Sequence, residues 1–443
     1  MSPSAGARPG DGAYHPRAQR HRDRSRGRLR LRDASAMAIG GMIGGGIFSV
    51  LGVTIELAGH LAFGCFVLAG ALAALTARSY AALARRGGRS GGPDELLRAE
   101  GHPQVAALAS WYLVLGYILA LAVYGFTFGH YLASVLGGGE VVARVASLGV
   151  MAVFLALNLR GVGASSITED AIVAAKLLVL ALIAGVGLGR FAPDRLSPLA
   201  DVGTGGLLIG AGAVFIAYEG FELLAYDYDD LDDAERTLPR SLYLSIGVVA
   251  LVYVTVTIGA QMLVSDATIV AQREVAFAAA GEAALGTTGR WLAVLGAVLA
   301  TSSAINATLF STSRLVRDLT RSGELPDRLG RTRHGLPVLA LWLLAAVGAA
   351  LAMLPAIGDL LAFGSVTFLA VFALVNHAHA RTATSRVDAV VGHLAALACA
   401  AAVAIVLADL ARSDPAALAM VAGALAVVGA LRALWARQVR AAS

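Results

Sequence analysis

Three ionisable side chains lie inside long apolar stretches of the chain, where each of them needs a partner. Lys176 is the only lysine, and Glu219 and Glu222 interrupt the apolar stretch GAVFIAYEGFE. An ionisable group in the middle of a membrane costs about 2.5–3.5 kcal/mol, so it usually faces a cavity or an opposite charge. The alternative for the two glutamates is that they lie near a membrane surface and reach toward Arg236 or Arg240.

Glycines are concentrated in a second apolar stretch, GGMIGGGIF, which has five glycines between Gly40 and Gly46. Each glycine weakens a helix by about 1 kcal/mol relative to alanine, so the sequence predicts local unwinding. Inside a membrane, unwound backbone is tolerated only where protein surrounds it or where it lines a cavity. The alternative is close helix packing through small residues, for which Gly41 and Gly45 already have the right spacing.

The composition indicates that these residues lie on membrane-spanning helices. Hydrophobic residues make up 57% of the chain and charged residues 15%, and the mean hydropathy is +0.72. A soluble domain usually carries about 25% charged residues. A soluble enzyme and a fibrous repeat are therefore excluded, and a disulfide scaffold is excluded because Cys65 and Cys399 are the only cysteines.

Twelve apolar segments have about the length that a helix needs to cross a bilayer. We predict spans at 34–57, 61–84, 104–136, 141–158, 167–189, 205–228, 239–263, 290–313, 336–354, 357–379, 388–410 and 415–434. The predicted fold class is an all-α membrane protein with twelve transmembrane helices.

The placement of arginines predicts the orientation. Residues 1–32 carry nine arginines and no apolar run, so we expect a disordered, basic cytoplasmic tail. With this tail inside, 28 arginines fall on the inner side of the spans and 6 on the outer side. We therefore expect a multi-pass protein of the plasma membrane with both termini cytoplasmic. The same asymmetry accounts for the pI of about 9.4 without a nucleic-acid partner.

Each of the two interrupted segments begins one half of the chain, and the two halves are similar in size. Gly44 and Gly212 are about 170 residues apart, and each begins a group of five spans. Five spans per half place the second half upside down relative to the first, and such inverted repeats carry a midplane site between discontinuous helices. We divide the chain into repeat one (33–190), repeat two (204–380) and helices eleven and twelve (387–436).

The order of the motifs resembles the amino acid–polyamine–organocation (APC) transporter superfamily. The matching stretches are GMIGGGIF, AYEGFE, RTLPRS, ATSSAINA, SRLVRDLTRSGELP and the glycine-rich GGRSGGP. The resemblance covers about residues 30–435. It implies a LeuT-like fold, with a 5+5 inverted repeat plus two C-terminal helices, and transport of an amino acid by alternating access.

The resemblance places the substrate between the two interrupted segments, and the chemistry of unwound backbone agrees with that placement. Free amide groups at a helix start suit a carboxylate, and freed carbonyl groups suit an ammonium. The predicted substrate-binding residues are Ile43, Gly44, Gly45, Gly46, Phe215, Ile216, Ala217, Tyr218 and Glu219. Phe215 or Tyr218 is either an aromatic gate over the substrate or ordinary core.

Glu219 departs from the superfamily pattern, because many relatives have an apolar residue at this place. An acid here has three interpretations. It prefers a cationic substrate, it titrates during transport, or its side chain points away from the pocket.

Lys176 is the predicted coupling residue. In some members of the superfamily, a lysine at the matching place fills the site that sodium occupies in sodium-coupled relatives. The resemblance implies that Lys176 reaches the backbone near Gly40 and Gly41 and the hydroxyl of Ser302 or Ser303. One interpretation is a proton-coupling switch that replaces sodium, because a buried lysine titrates readily. The other is a permanently charged tether between spans one, five and eight.

The sequence therefore predicts an amino acid permease, not an enzyme, that is proton-coupled and independent of sodium. Its expected partners are a small amino acid substrate, protons and the lipid bilayer. The alternative within this class is an amino acid or polyamine exchanger without net proton coupling. An intramembrane enzyme needs a catalytic constellation and a channel needs repeated filter loops, and the sequence shows neither. No cofactor and no metal-ligand cluster is predicted.

Overall fold

A computed structural model describes residues 29–87, 92, 97–98, 101, 103–160, 166–333, 336–354 and 356–442. Over these ranges the backbone is almost entirely helical, and the β pairs found there are two isolated bridges. The α-helices are α1 (Leu31–Met42), α2 (Gly46–Ala58), α3 (Ala62–Gly87), α4 (Pro103–Leu136), α5 (Gly139–Leu159), α6 (Ser166–Gly189), α7 (Thr204–Ala213), α8 (Ala234–Leu263), α9 (Asp266–Ala271), α10 (Ala276–Arg321), α11 (Asp327–Gly330), α12 (Val338–Leu351), α13 (Ile357–Thr382), α14 (Arg386–Ser413) and α15 (Pro415–Ala442). Short 3-10 segments connect some of them, at Gly59–Leu61, Pro193–Leu196, Phe215–Tyr218, Phe221–Asp230 and Arg273–Val275.

Several helical stretches are suited to cross a membrane. Within the described ranges, nine are long and apolar enough, or ten if α7 and the bent stretch Phe215–Asp230 form one span. One of the nine, Gly46–Gly87, contains both α2 and α3, and α12 is apolar but shorter. The described part of the chain is helical, as expected of a multi-pass membrane protein. The count of twelve spans, the 5+5 layout and the division into repeats remain predictions.

The observed helices agree with the predicted spans to within five residues, except for the twelfth, whose helix ends at Ala442 and not at 434, and for the eighth. That span was predicted at 290–313, whereas α10 runs from Ala276 to Arg321. The helix is interrupted by non-helical backbone at Leu285 and at Gly286, which has a φ of 64°. A glycine adopts this conformation without strain, so the bend falls there. The hydropathy pattern missed the first part of α10 because polar residues separate it from the apolar stretch.

The predicted disordered tail extends too far by at least two residues. Residues 1–28 of the tail lie outside the described ranges. Leu31 and Arg32 already belong to α1, whose start is stabilised by Asp33. The carboxylate of Asp33 accepts a 3.1 Å hydrogen bond from the backbone amide of Arg30. An acid in the first turn also favours helix initiation electrostatically.

The long helices α8 and α10 pack against many others, and the half-helices of the two interrupted spans pack among them. Helix α8 packs against α1, α3 and α6, and α10 packs against α4 and α6. The half-helices α2 and α7, one from each interrupted span, also pack against each other. By contrast, α14 and α15 carry large exposed apolar side chains, including Leu397 and Val427. Such side chains are expected where a helix faces lipid.

Polar contacts join the ends of several helices at one face of the bundle. Arg78 of α3 forms a 2.7 Å ion pair with Asp388 of α14. Arg98 forms a 3.0 Å ion pair with Glu324, just after α10. The indole nitrogen of Trp435 in α15 donates to the carbonyl of Gly323 at 2.9 Å. These contacts bring together segments that the arginine count assigns to one side of the membrane.

Candidate functional site

The first predicted interruption is a real break in the helix. Helix α1 ends at Met42 and α2 begins at Gly46, so three residues lie between them. The amide of Ile43 donates to the carbonyl of Ile39 at 2.9 Å, and the amide of Gly44 donates to Gly41 at 3.0 Å. The amide of Gly45 has no hydrogen-bond acceptor among the described residues. The break therefore leaves a donor at the N-terminus of α2, as an anion-binding position requires.

The glycines of this break allow three other helices to approach closely. A Cβ atom on Gly44 would lie 2.8 Å from the Cβ of Ala304 in α10. A Cβ on Gly45 would collide with the ring of Tyr124 in α4, and one on Gly46 would collide with the hydroxyl of Tyr253 in α8. These glycines therefore allow close packing of neighbouring helices and also lie where the helix is broken, so both interpretations apply.

The second predicted interruption is also present. Helix α7 ends at Ala213, and the 3-10 segment that follows it is bent by 51° from α7. Glu219 has extended backbone angles, and Gly220 has a φ of 112°. The hydroxyl of Ser365 in α13 spans the start of the break, because it donates to the carbonyl of Ala213 at 2.7 Å and accepts from the amide of Ile216 at 3.0 Å.

The two breaks lie against each other. A Cβ on Gly220 would lie 3.3 Å from both the carbonyl carbon of Gly41 and the amide nitrogen of Met42. The hydroxyl of Tyr253 lies 2.8 Å from the carbonyl of Met42 and 2.8 Å from the carbonyl of Ala217. A phenolic hydroxyl has one proton, so it donates to one of these carbonyls at a time. Tyr253 thus connects the backbone of both breaks.

Both glutamates are buried at this junction. Glu219 is 4% exposed and accepts a 2.9 Å hydrogen bond from the hydroxyl of Tyr124. Glu222 is fully buried and accepts a 3.3 Å hydrogen bond from the hydroxyl of Tyr117. The amide of Gly220 donates to the other oxygen of Glu222 at 3.0 Å. The carboxylates therefore point into the protein and are held by neutral donors.

The alternative in which these glutamates reach toward Arg236 or Arg240 is wrong. Arg236 is exposed and pairs with Asp233 at 3.7 Å. Neither arginine forms an ion pair with Glu219 or Glu222 among the described residues. The 3-10 turn that begins after Gly220 directs the Glu222 side chain back to the amide of Gly220, and this local geometry prevents it from reaching the surface.

The two candidate gate residues are both completely buried. The ring of Phe215 packs edge-on against Phe372, with 5.8 Å between centroids. The hydroxyl of Tyr218 donates to the carbonyl of Phe66 at 2.7 Å, and its ring packs against Tyr253. Tyr218 is held as a core residue in this conformation. A gating role for Phe215 or Tyr218 remains a prediction.

Lys176 is completely buried in α6, and its ammonium reaches only part of the predicted partner set. The nitrogen donates to the carbonyl of Gly40 at 2.8 Å, near the end of α1. A Cβ on Gly40 would lie 2.8 Å from a methyl group of Val173, so α1 and α6 touch at this level. In the described part of the chain, neither Ser302 nor Ser303 forms a hydrogen bond with Lys176. The hydrogen bond to span one is present, and among the described residues no hydrogen bond joins Lys176 to span eight.

Three polar residues of the junction were missed by the sequence reasoning, namely Tyr124, Tyr253 and Ser365. Each is one of several polar residues in a largely apolar span, and nothing in the sequence distinguishes it from the others. Their partners lie far away in the sequence, for example 95 residues between Tyr124 and Glu219. A buried glutamate requires a hydrogen-bond donor. In the sequence, this requirement was the one signal that such polar residues lie beside Glu219 and Glu222.

Comparison with known proteins places these features in a family context. The family model for amino acid permeases matches residues 29–428. The inner membrane transport protein YbaT of Escherichia coli is 30% identical over 314 residues, which are 69% of this chain and 72% of that protein. The branched-chain amino acid permease BcaP of Bacillus subtilis is 26% identical, and the match covers 78% of each chain. The methylthioribose transporter of Bacillus subtilis is also 26% identical, over 78% of each chain.

Proposed function

The chain belongs to the amino acid permease family, and from this premise we propose that it carries amino acids across the plasma membrane by alternating access, driven by protons and not by sodium. The family membership confirms the resemblance to the APC superfamily. It also makes the protein a membrane transporter and not an enzyme. The substrate, the driving ion, the host membrane and the cytoplasmic position of the termini are the proposed parts.

The contact between the two breaks supports a substrate site at this place. The unpaired amide of Gly45 supplies a donor for a carboxylate. On the opposite side, the carbonyls of Ile216 and Ala217 each accept one hydrogen bond. A carbonyl oxygen has two lone pairs, so each can accept a further bond from an ammonium. A zwitterionic amino acid satisfies both sides with backbone groups alone.

The buried carboxylate of Glu219 adds a requirement to this site. It lies beside Tyr124, whose ring covers Gly45, and its described hydrogen-bond partner is a neutral hydroxyl. A buried carboxylate without a cation is stable when it is protonated or when a substrate brings the positive charge. Two outcomes follow for transport. Glu219 either carries a proton or selects cationic amino acids.

Proton coupling through Lys176 is supported by its burial and by its contact with α1. The ammonium donates to the carbonyl of Gly40, at the end of the half-helix whose terminus forms the first break. Loss of the proton converts a charged hydrogen bond into a weaker neutral one, and such charge-assisted bonds are roughly twice as strong as neutral ones. The protonation state of Lys176 therefore changes how firmly α6 holds α1.

An exchanger of amino acids or polyamines is the second candidate, and Glu219 favours it because polyamines are cationic. The two candidates differ in what drives net movement. A symporter accumulates substrate in empty vesicles under a proton gradient, whereas an exchanger needs substrate inside.

Uptake of radiolabelled amino acids into proteoliposomes tests the proposal. We expect accumulation of at least one amino acid in vesicles that are empty of substrate, when the outside is more acidic than the inside. Removing sodium is expected to leave the rate unchanged. Uptake that requires internal substrate supports the exchanger, and uptake that requires sodium contradicts proton coupling. No uptake of any amino acid or polyamine by folded protein contradicts both candidates.

The proposed orientation rests on the arginine distribution. It agrees with the contacts at one face of the bundle, where Arg78, Arg98 and Trp435 connect segments assigned to the cytoplasmic side. Labelling of single cysteines with a membrane-impermeant reagent, in a background without Cys65 and Cys399, tests it. A cysteine near the C-terminus is expected to react only after the cells are opened.

A further inference from the structure

A histidine and two aspartates from three separate parts of the chain converge at the end of the bundle where α2, α6 and α8 end. His60 lies in the 3-10 turn after α2, Asp201 lies between α6 and α7, and Asp266 is the first residue of α9. One side-chain nitrogen or oxygen from each residue lies within 4.8 Å of the other two. The sequence reasoning predicted no metal site because these residues are more than sixty positions apart.

The two ring nitrogens of His60 face different carboxylates, Nδ1 toward Asp201 and Nε2 toward Asp266. Its Nδ1 lies 2.8 Å from the carbonyl of Pro198, which accepts its proton. In this tautomer Nε2 carries a lone pair, and it lies 3.8 Å from a carboxylate oxygen of Asp266. A backbone carbonyl that fixes one ring nitrogen is the usual second partner of a metal-binding histidine.

Asp201 is fixed beside the histidine by the local backbone. Its carboxylate accepts a 3.0 Å hydrogen bond from the amide of His60. A Cβ on Gly59, which has a φ of 52°, would collide with this carboxylate. The other carboxylate oxygen lies 3.8 Å from Nδ1 of His60. Only a glycine at position 59 therefore lets Asp201 approach so closely.

A buried amide oxygen gives an independent indication that this cluster binds a ligand. Gln261 is 2% exposed, and its Nε2 donates to the carbonyl of Gly59 at 3.1 Å and to the carboxylate of Asp266 at 3.2 Å. Its Oε1 is buried without a hydrogen-bond partner among the described residues. Exchanging the two amide atoms would place this oxygen against two acceptors, so the orientation is fixed. Buried acceptors without a partner are rare, and this one requires a donor or a cation.

The cluster has space for an ion and an excess of negative charge. Gln261, His60 and Asp266 line a cavity of about 210 Å³. Two carboxylates face a single permanent cation, Arg195, which lines the same cavity and donates to the carbonyl of Gln261 at 3.1 Å. Two carboxylates against one arginine leave an excess of negative charge, which an additional cation would neutralise.

We propose that His60, Asp201 and Asp266 bind a divalent transition-metal ion, with Zn²⁺ as the best match, and that the amide oxygen of Gln261 completes the site directly or through a water molecule. Zn²⁺ binds imidazole nitrogen as well as carboxylate oxygen, whereas Ca²⁺ and Mg²⁺ prefer oxygen alone. Tetrahedral bonds of about 2.0–2.2 Å place two donor atoms about 3.3–3.6 Å apart. The 3.8 Å separation between Nε2 of His60 and Asp266 requires only a small contraction.

A bound ion would connect three segments that belong to different parts of the fold. His60 follows the second half of the first broken span, Asp201 precedes the second broken span, and Asp266 follows α8. Metal bonds between them hold the outer ends of these helices together. The site would therefore restrict any motion that separates α2 from α8 at this face.

Isothermal titration of the purified full-length protein with Zn²⁺ tests the proposal. The protein should carry no histidine tag and should be treated with a chelator before the titration. We expect one Zn²⁺ per chain, with binding retained in the presence of excess Mg²⁺. His60→Gln and Asp266→Asn, which preserve side-chain size, are expected to lower the affinity by more than about 100-fold. Gln261→Met is expected to lower it by about 10- to 100-fold, as removal of an outer partner does.

His130→Gln is the matched control, because His130 also pairs with an acid, Glu140, at 3.2 Å, but no third ligand of the described residues joins them. This variant is expected to bind Zn²⁺ as the wild type does. X-ray absorption at the zinc edge of the wild-type complex requires no variant and is expected to show one imidazole and oxygen ligands. The proposal is overturned if wild-type protein binds no stoichiometric Zn²⁺, if His60→Gln binds it with unchanged affinity, or if the ion has sulfur ligands from Cys65 or Cys399. None of these results depends on which substrate is transported.

Discussion

The ammonium of Lys176 donates a 2.8 Å hydrogen bond to the carbonyl of Gly40, and this bond joins α6 to the last turn of α1. Lys176 is the only lysine in the chain and is completely buried. The bond connects the proposed coupling residue to the half-helix that ends at the first break. Coupling by this route needs no contact with span eight.

Two substitutions of Lys176 distinguish a residue that gains and loses a proton from one that only holds the helices together. Lys176→Gln retains a donor for the Gly40 carbonyl but cannot change its charge, whereas Lys176→Ala removes both. If the residue is a proton switch, both variants are expected to lose the increase of uptake with external acidity. If it is only a tether, Lys176→Gln keeps the wild-type pH profile. The measurement is uptake against external pH, normalised to the amount of folded protein.

Replacing Glu219 tests the selectivity of the site. Glu219→Gln retains an acceptor for the hydroxyl of Tyr124 but removes the negative charge. If a cationic substrate pairs with this carboxylate, its affinity is expected to fall by about 10-fold or more, because hydrogen bonds to charged groups contribute about 1.5–3 kcal/mol. Neutral amino acids should be much less affected. Competition by a panel of amino acids against one labelled substrate measures the ranking.

Glu222→Gln is the control for this experiment, since Glu222 is equally buried at the same break but bonds to Tyr117 and to the amide of Gly220. It is expected to leave the ranking unchanged. An unchanged ranking in Glu219→Gln as well would place the Glu219 side chain outside the substrate pocket.

A double-mutant cycle tests the close approach of Gly46 and Tyr253. Gly46→Ala is expected to destabilise the protein, because the new Cβ collides with the Tyr253 hydroxyl. Tyr253→Phe is expected to cost about 1–3 kcal/mol, because two buried carbonyls lose their donor. Together, the two changes should cost less than their sum by about 0.5–3 kcal/mol, since phenylalanine lacks the hydroxyl oxygen, which is the atom nearest to the new methyl group.

Thermal unfolding in detergent measures the apparent stability of the four proteins in this cycle. Gly247→Ala provides a control within α8, because a Cβ on Gly247 meets no atom within 4 Å. Strictly additive effects of Gly46→Ala and Tyr253→Phe would show that the two residues do not constrain each other.

Zinc on the outer side is expected to slow transport. If the ion bound at His60, Asp201 and Asp266 holds the outer ends of α2 and α8 together, saturating Zn²⁺ should reduce uptake several-fold, and a chelator should restore it. His130→Gln should respond as the wild type does, and His60→Gln should show no reduction. Each protein is compared with and without Zn²⁺, so differences in expression do not affect the ratio. Full uptake at saturating Zn²⁺ would show that the site does not restrict the transport motion.

The sequence by itself determined the class of protein, the positions of both breaks and the burial of Lys176. These features depend on local properties of the chain. Long apolar segments need lipid, dense glycine weakens a helix where it occurs, and an ionisable residue far from the end of an apolar span has no route to water. The order of the motifs also identified the superfamily, because this order can be read directly from the sequence.

Only the tertiary structure decided which groups meet at the breaks. It brought Tyr124 to Glu219 and Tyr253 to Met42 and Ala217, and it paired the ammonium of Lys176 with the carbonyl of Gly40. It also brought together His60, Asp201 and Asp266 from three connecting segments. The physical reason is that these contacts depend on the rotation and spacing of packed helices. Rotation of a helix by one residue turns a side chain by about 100°, and hydropathy does not fix that angle among equally apolar faces.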